Sequence, residues 1–171
     1  MRHGTFQTAL LWTLTALLTL GWAGTALAQD ADAILGVWRT AETDKGYSHV
    51  KIYRDGDTYS GKIIWLKKPT YGPEEGPELE GKEKTDRQNP DKKLRERPIV
   101  GLELLEGFTY DAGDQEWGGG TIYDPEKGKT YKSYMKLDGD TLMVRGYIGF
   151  SLLGRTTEWS RVEEKEQKSD D

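Results

Sequence analysis

Few residues in this sequence could carry covalent chemistry. Past the first 28 positions there is one histidine, His49, and the chain has no cysteine. That inventory leaves no catalytic triad of the usual kind and no transition-metal site with soft ligands. Strand alternation around His49 sets it beside Lys62 on a wet face, the position of an ordinary surface residue. Carboxylates pair at Glu74-Glu75, at Asp138 with Asp140, and at Asp170-Asp171, each in a loop, turn or tail. Solvent leaves such groups unperturbed, and carboxylate pairs do acid–base work only in a shielded cleft. Asp138-Gly139-Asp140 lacks the later Glu and the ligand spacing of a calcium loop, so turn chemistry explains it. Gly118-Gly119-Gly120 leads into no helix that could aim backbone N–H groups at a phosphate, and reads as a bulge or a close backbone approach. No cofactor and no metal is called for, and the expectation is a protein that is not an enzyme.

The arginines are the more informative polar residues. Arg95, Arg97, Arg145, Arg155 and Arg161 stand out in a chain with 24 basic and 29 acidic side chains and a formal charge of -5. That balance argues against nucleic acid as a partner. A guanidinium can grip a carboxylate or phosphate in two parallel hydrogen bonds, or it can serve structure through salt bridges and stacking on an indole. Arg145 discriminates between these uses. In the strand register preferred below it points outward with Lys132, whereas a slip of one residue would turn it inward beside Met135 and Tyr147.

The first 28 residues stand apart. Arg2 and His3 precede an uncharged run from Ala9 to Leu20, and Ala26-Leu27-Ala28 supplies a small-x-small cleavage site. The pattern is that of a secretory signal cut after Ala28, with no membrane span left afterwards. Cleavage leaves 143 residues with a formal charge of -6, one domain by length, in a periplasmic or secreted location. Without cysteine, a chain in an oxidising compartment must rely on its core.

Alternation then sets the elements. Tyr47–Arg54 and Asp57–Leu66 flank Asp55-Gly56, and Lys129–Leu137 and Asp140–Ile148 flank Asp138-Gly139, two strong hairpin signals. Pairing Arg54 with Asp57 groups Val50, Ile52, Tyr59, Ile63 and Trp65 on one face. Pairing Leu137 with Asp140 groups Tyr131, Met135, Leu142, Val144 and Ile148, with Lys132, Lys136, Thr141 and Arg145 opposite. Further strands are expected at 34–40, 99–106, 108–111, 117–123 and 155–162. Residues 67–97 form a long loop rich in Pro, Gly and charge, with a short helix capped at Asn89, and read as a mobile flap or a solvated excursion. Residues 163–171 read as a disordered acidic tail.

A single all-β domain must manage its sheet edges, and closure removes them, so residues 29–162 are expected to form an antiparallel barrel of about eight to ten strands. Gly36-Val37-Trp38 resembles the Gly-x-Trp signature of lipocalin-like barrels, whose tryptophan plugs the closed end under a basic side chain; Arg161 is the candidate for that cation.

Six segments in order carry a more specific resemblance. They are Gly36-Val37-Trp38; Ile64-Trp65-Leu66; Asn89-Pro90-Asp91 with Leu94, Arg95, Arg97-Pro98 and Gly101-Leu102; Ile122-Tyr123-Asp124-Pro125 with Gly128-Lys129-Thr130-Tyr131; Val144-Arg145-Gly146-Tyr147; and Gly154-Arg155-Thr156 with Trp159 and Arg161. Together they are similar to the bacterial family catalogued as domain of unknown function 2147. The resemblance implies an exported protein with a lipocalin-like barrel and no established activity. The acidic stretch Gly72–Glu83 looks longer than is usual there. The leading expectation is a barrel that takes a small apolar or amphipathic ligand inside, touched by Tyr59, Ile63, Trp65, Tyr131, Met135, Leu142, Arg145 and Tyr147. If those large side chains fill the interior instead, the expectation becomes an envelope module that binds a protein partner or a second copy of itself.

Overall fold

The computed structural model describes residues 30–163. The expected signal segment, 1–28, and all of the expected tail beyond Glu163 lie outside the described residues. Eight strands follow one another: β1 (Gly36–Arg39), β2 (Ser48–Asp55), β3 (Thr58–Leu66), β4 (Glu103–Asp111), β5 (Glu116–Asp124), β6 (Lys129–Asp138), β7 (Thr141–Tyr147) and β8 (Gly154–Arg161). Each pairs antiparallel with its neighbour, and β1 closes the barrel against β8. The expected strands at 99–106 and 108–111 are one element, β4, which runs through Gly107 at φ +74°. A glycine there absorbs the left-handed backbone without breaking the strand.

Both hairpins hold the face division set by alternation, with the turn moved one residue along. Asp55 pairs with Thr58 and Asp138 with Thr141, so the two-residue loops are Gly56-Asp57 and Gly139-Asp140. The expected register placed Asp-Gly at these centres. Gly56 and Gly139 have φ of +60° and +57°, and neither following aspartate has positive φ. A loop with one left-handed residue, at its first position, suits a right-handed strand twist and puts the demand on glycine alone. The displacement is even in the pairing sum, so the buried faces survive: Ile52, Tyr59, Ile63, Met135, Leu142 and Val144 are each at most 3% exposed.

One register change does move a side chain. Val50 pairs with Ile63 but His49 pairs with Trp65, so a bulge near Ile64 carries Trp65 from the inner set to the outer face. His49 is therefore no wet surface residue. It is 5% exposed, its ring stacked on Trp65 at 4.7 Å with Tyr47 at 5.7 Å on the same outer wall.

The long connection from β3 to β4 runs over the surface with most of its side chains exposed, yet it is a hydrogen-bonded strap. Tyr71 accepts the Thr85 N–H at its hydroxyl (2.9 Å), Ile63 donates its N–H to the Leu102 carbonyl (2.9 Å), and Ile99 and Leu102 join the barrel core. The expected helix shrinks to a single 3-10 turn, Lys92–Leu94, capped by the Asp91 carboxylate on Lys93 N. Asn89 is not its cap: the turn begins two residues later than expected, and the Asn89 Oδ1 instead accepts the Asp91 N–H at 2.8 Å ahead of it.

Candidate functional site

Barrels of this size offer three places for function: the interior, the closed pole and the open rim. At the pole the chain enters through the 3-10 turn Ala31–Ile34, which lies across the barrel end. Trp38 is wholly buried and donates its indole N–H to the Ile34 carbonyl at 2.8 Å; Trp117 donates to Ala31 O at 2.9 Å. Arg161 lies over the Trp38 ring at 4.2 Å and donates to the carbonyls of Leu35 (2.9 Å) and Ala33 (2.6 Å). Gly36 adopts φ +119°, and a Cβ there would approach Arg161 Nη1 to 3.2 Å. Glycine, tryptophan and distant arginine thus form one plug. Beside it, Asp32 accepts hydrogen bonds from the Tyr59 hydroxyl and from Arg54. Those bonds, Tyr59 first, hold the Asp32 carboxyl below the ordinary carboxylate range, while burial and Asp32 push the Tyr59 phenol up to about 12.

The interior above this plug is filled. Trp38, Val50, Leu105, Phe108, Trp117, Met135 and Leu142 are all fully buried in one cluster. A Cβ on Gly120 would fall 2.5 Å from the Phe108 ring, and one on Gly61 would fall 3.1 Å from Leu105 Cδ1. The glycine run therefore clears space for an aromatic ring. Of the side chains expected to touch a ligand, Tyr59, Ile63, Met135 and Leu142 lie in this packed body. Tyr131 is half-buried nearer the rim, where Ile122 and Gly146 share its layer. Three are not inside at all: Trp65 stands with His49 on the outer wall, and the pairings of Lys132 with Tyr147 and of Tyr134 with Arg145 put Tyr147 and Arg145 outside too. For Trp65 the physical reason is the bulge near Ile64, and for Tyr147 and Arg145 it is the β6–β7 register, which holds its outward parity without a slip. Arg155 is the arginine that the register sets on the inner face at the rim, opposite Gly146. Cavities of about 300 Å³ and 450 Å³ lie elsewhere, between the Arg39–Glu42 segment and β8, and along the strap beside Lys67, Lys68 and Lys84.

The strap is held to the rim by a polar cluster that hydropathy does not reveal. Asp86, wholly buried, accepts from the Asn89 amide (2.7 Å), the Tyr123 hydroxyl (2.7 Å) and Arg97 (Nε 3.0 Å, Nη2 2.8 Å). Arg95 donates from Nε to the Asn89 carbonyl at 2.7 Å. Burial and the Asp86 carboxylate push the Tyr123 phenol up to about 12. Every lone pair in use has a partner, so the arrangement is a clamp. Its sequence signal is the joint presence of Asn89, Arg97, Tyr123 and Gly128; the last would place a Cβ within 1.8 Å of Gln88 O. Among the described residues no three His, Asp or Glu side chains gather as metal ligands.

What remains is the rim loop between β7 and β8. Ile148, Phe150, Leu152 and Leu153 are 66%, 81%, 89% and 76% exposed. Their backbone is nonetheless tied down, because Arg145 donates to Ser151 O (2.8 Å) and Leu152 O (3.2 Å) while also holding Thr156 Oγ1 of β8 (2.9 Å). Sequence reasoning counted only Ile148 of these, and counted it as interior.

A closed, eight-stranded antiparallel meander with a Gly-x-Trp plug under an arginine defines a lipocalin-like barrel. Residues 36–161 match the model of a family described as an uncharacterized protein conserved in bacteria, domain of unknown function 2147. The chain belongs to that family. Among solved structures it is similar to the Helicobacter pylori protein HP1028, described as belonging to the lipocalin family, with 22% identity, a TM-score of 0.65 and coverage of 79% of this chain and 86% of that one. No curated protein matches the sequence.

Proposed function

We propose that this chain is an exported, non-enzymatic interaction module, a rigid filled barrel that works through its rim in the periplasm or outside the cell. The apolar run and cleavage site of residues 1–28 support export. The single observation that carries the reading is the loop 148–153, four large apolar side chains exposed on a backbone that takes two hydrogen bonds from one arginine. Exposed apolar patches on soluble domains mark interaction sites, and a fixed backbone lowers the ordering cost of using one. A photo-crosslinker replacing Phe150, in intact host cells, is expected to give adducts that disappear when the same group replaces Lys51, an exposed residue on the outer face of β2. Equal labelling from both positions would overturn the reading.

A second reading has its own observation. The lipocalin-like fold, with a half-buried layer of Ile122, Tyr131 and Gly146 and Arg155 at its edge, suits a small amphipathic ligand seated in the mouth, its anionic end toward the guanidinium. Native mass spectrometry of protein from its own host separates the two. A stoichiometric small molecule retained by the Phe150→Ser variant favours the mouth, and a bare protein mass favours the module.

A further inference from the structure

The rim loop is not merely apolar; its surroundings have the opposite charge from the protein as a whole. From Lys129 to Leu137 and from Thr141 to Thr157 there is no Asp or Glu, in a chain with 29 of them. Those stretches carry Lys129, Lys132, Lys136, Arg145 and Arg155. Arg145 is committed to the loop backbone and Lys136 lies 3.5 Å from Glu116, toward the far end of β6. Lys129, Lys132 and Arg155 are exposed and sit at the base of the tip, where Lys132 pairs with Tyr147 and Arg155 with Gly146. The carboxylates of the neighbouring β5–β6 turn are answered locally: Asp124 by Lys127 at 2.9 Å and Glu126 by Lys45 at 3.8 Å. Just below the tip, Tyr134 and Tyr147 lie on the outer wall with ring centres 6.2 Å apart.

Proceeding from the tip, a loop with four large apolar side chains gives way to a belt in which tyrosines and basic side chains share one level, Tyr147 directly opposite Lys132. This is the layering that water–lipid boundaries select: apolar groups below the headgroups, amphipathic rings at their level, and cations beside the phosphates. A protein partner would reward the apolar tip but would not call for acid-free stretches of β6, β7 and β8 beneath it. On the reading of the rim as the working surface, we infer that the 148–153 loop docks on an anionic lipid surface, inserting Phe150, Leu152 and Leu153 while Lys129, Lys132 and Arg155 meet the lipid phosphates. Arg145 keeps the tip shaped before contact, so insertion orders little of the chain.

Co-sedimentation of the purified chain with vesicles tests this, using equal parts phosphatidylglycerol and phosphatidylcholine against phosphatidylcholine alone. Binding to the anionic vesicles is expected to be stronger by about fivefold per engaged cation and to weaken with salt. Phe150→Ser with Leu152→Ser, both at exposed positions, is expected to lower partitioning at least about 30-fold with an unchanged melting temperature. Lys132→Gln with Arg155→Gln removes the preference for anionic vesicles. Absent or equal binding to both vesicles overturns the proposal, as does binding that follows charge alone and ignores the tip. Sedimentation equilibrium without lipid distinguishes the two levels of inference. Tip-dependent self-association with no vesicle binding overturns the lipid surface and leaves the module standing. A tip whose loss changes neither association, crosslinking nor vesicle binding overturns both.

Discussion

The two ends of the barrel treat large apolar side chains in opposite ways. At the closed pole, Trp38 and Trp117 are wholly buried and each indole N–H has a backbone carbonyl, with Arg161 tying the same carbonyl-rich segment to the last strand. At the rim, Phe150 and Leu152 are left in water, although Arg145 hydrogen-bonds the Ser151 and Leu152 carbonyls of their loop. One end spends its aromatic residues on stability, and the other presents its apolar residues for contact. The contrast teaches that exposure at the rim is not looseness, because Arg145 ties the loop's carbonyls back to β7 and β8.

The largest expected effect is at the pole. Trp38→Ala is expected to destabilise the protein by about 3–5 kcal/mol in urea unfolding, since no neighbouring side chain can refill an indole-sized hole beneath Arg161. A loss below about 1 kcal/mol would erase the distinction between the ends. Next is Asp86→Ala, expected at about 2–3 kcal/mol, because it leaves Tyr123, Asn89 and Arg97 without their shared acceptor. Hydrogen exchange across residues 84–99 checks it: faster exchange there with β1 and β8 unchanged shows the clamp to be local. Gly120→Ala is expected to cost about 1–3 kcal/mol by driving a methyl group into the Phe108 ring, read as a lower denaturant midpoint.

Alkaline titration probes both ends together. The phenols of Tyr53, Tyr59 and Tyr123 are pushed up to about 12 from 10.0, chiefly by burial and then by carboxylate partners. A raised folded-state value means that their stabilisation is complete below about 10 and is lost as pH rises toward 12. Phenolate absorbance should therefore appear late for three of the nine tyrosines, together with loss of fold. An early, noncooperative rise for these three would show that Glu103, Asp32 and Asp86 do not hold Tyr53, Tyr59 and Tyr123 as the hydrogen bonds place them. Smallest is Phe150→Ser, expected to move stability by less than about 0.5 kcal/mol in the same urea assay. A larger loss would mean that the tip packs on its own barrel.

How much of this was legible follows from the range of each interaction. The hairpin faces were readable because alternation is local, and Ile52, Tyr59, Met135 and Leu142 lie where a period of two puts them. The turn positions were missed by one residue because Asp-Gly and Gly-Asp loops share a composition and differ only in which residue takes positive φ. Trp65 and His49 were misplaced by a bulge that no pattern announces. The strap looked loose because its apolar content is low, while what holds it joins Asp86 to Tyr123 across 37 positions. The rim tip was hidden differently. Ile148 through Leu153 reads as core by composition, and only the ending of β7 at Tyr147 puts it in solvent.

The joint between β1 and β8 rests on two residue pairs, Trp38 with Arg161 and Arg39 with Ser160, contributed by the first and last strands of the sheet. A chain emerging from a ribosome or a translocation pore delivers these partners at opposite times. Until the final strand arrives, the earlier seven stand as a curled sheet with two bare edges and an indole awaiting its cation. Strand β8 is thus a latch, and a product truncated before it would keep most of the barrel's oily residues while leaving β1 and β7 as open edges.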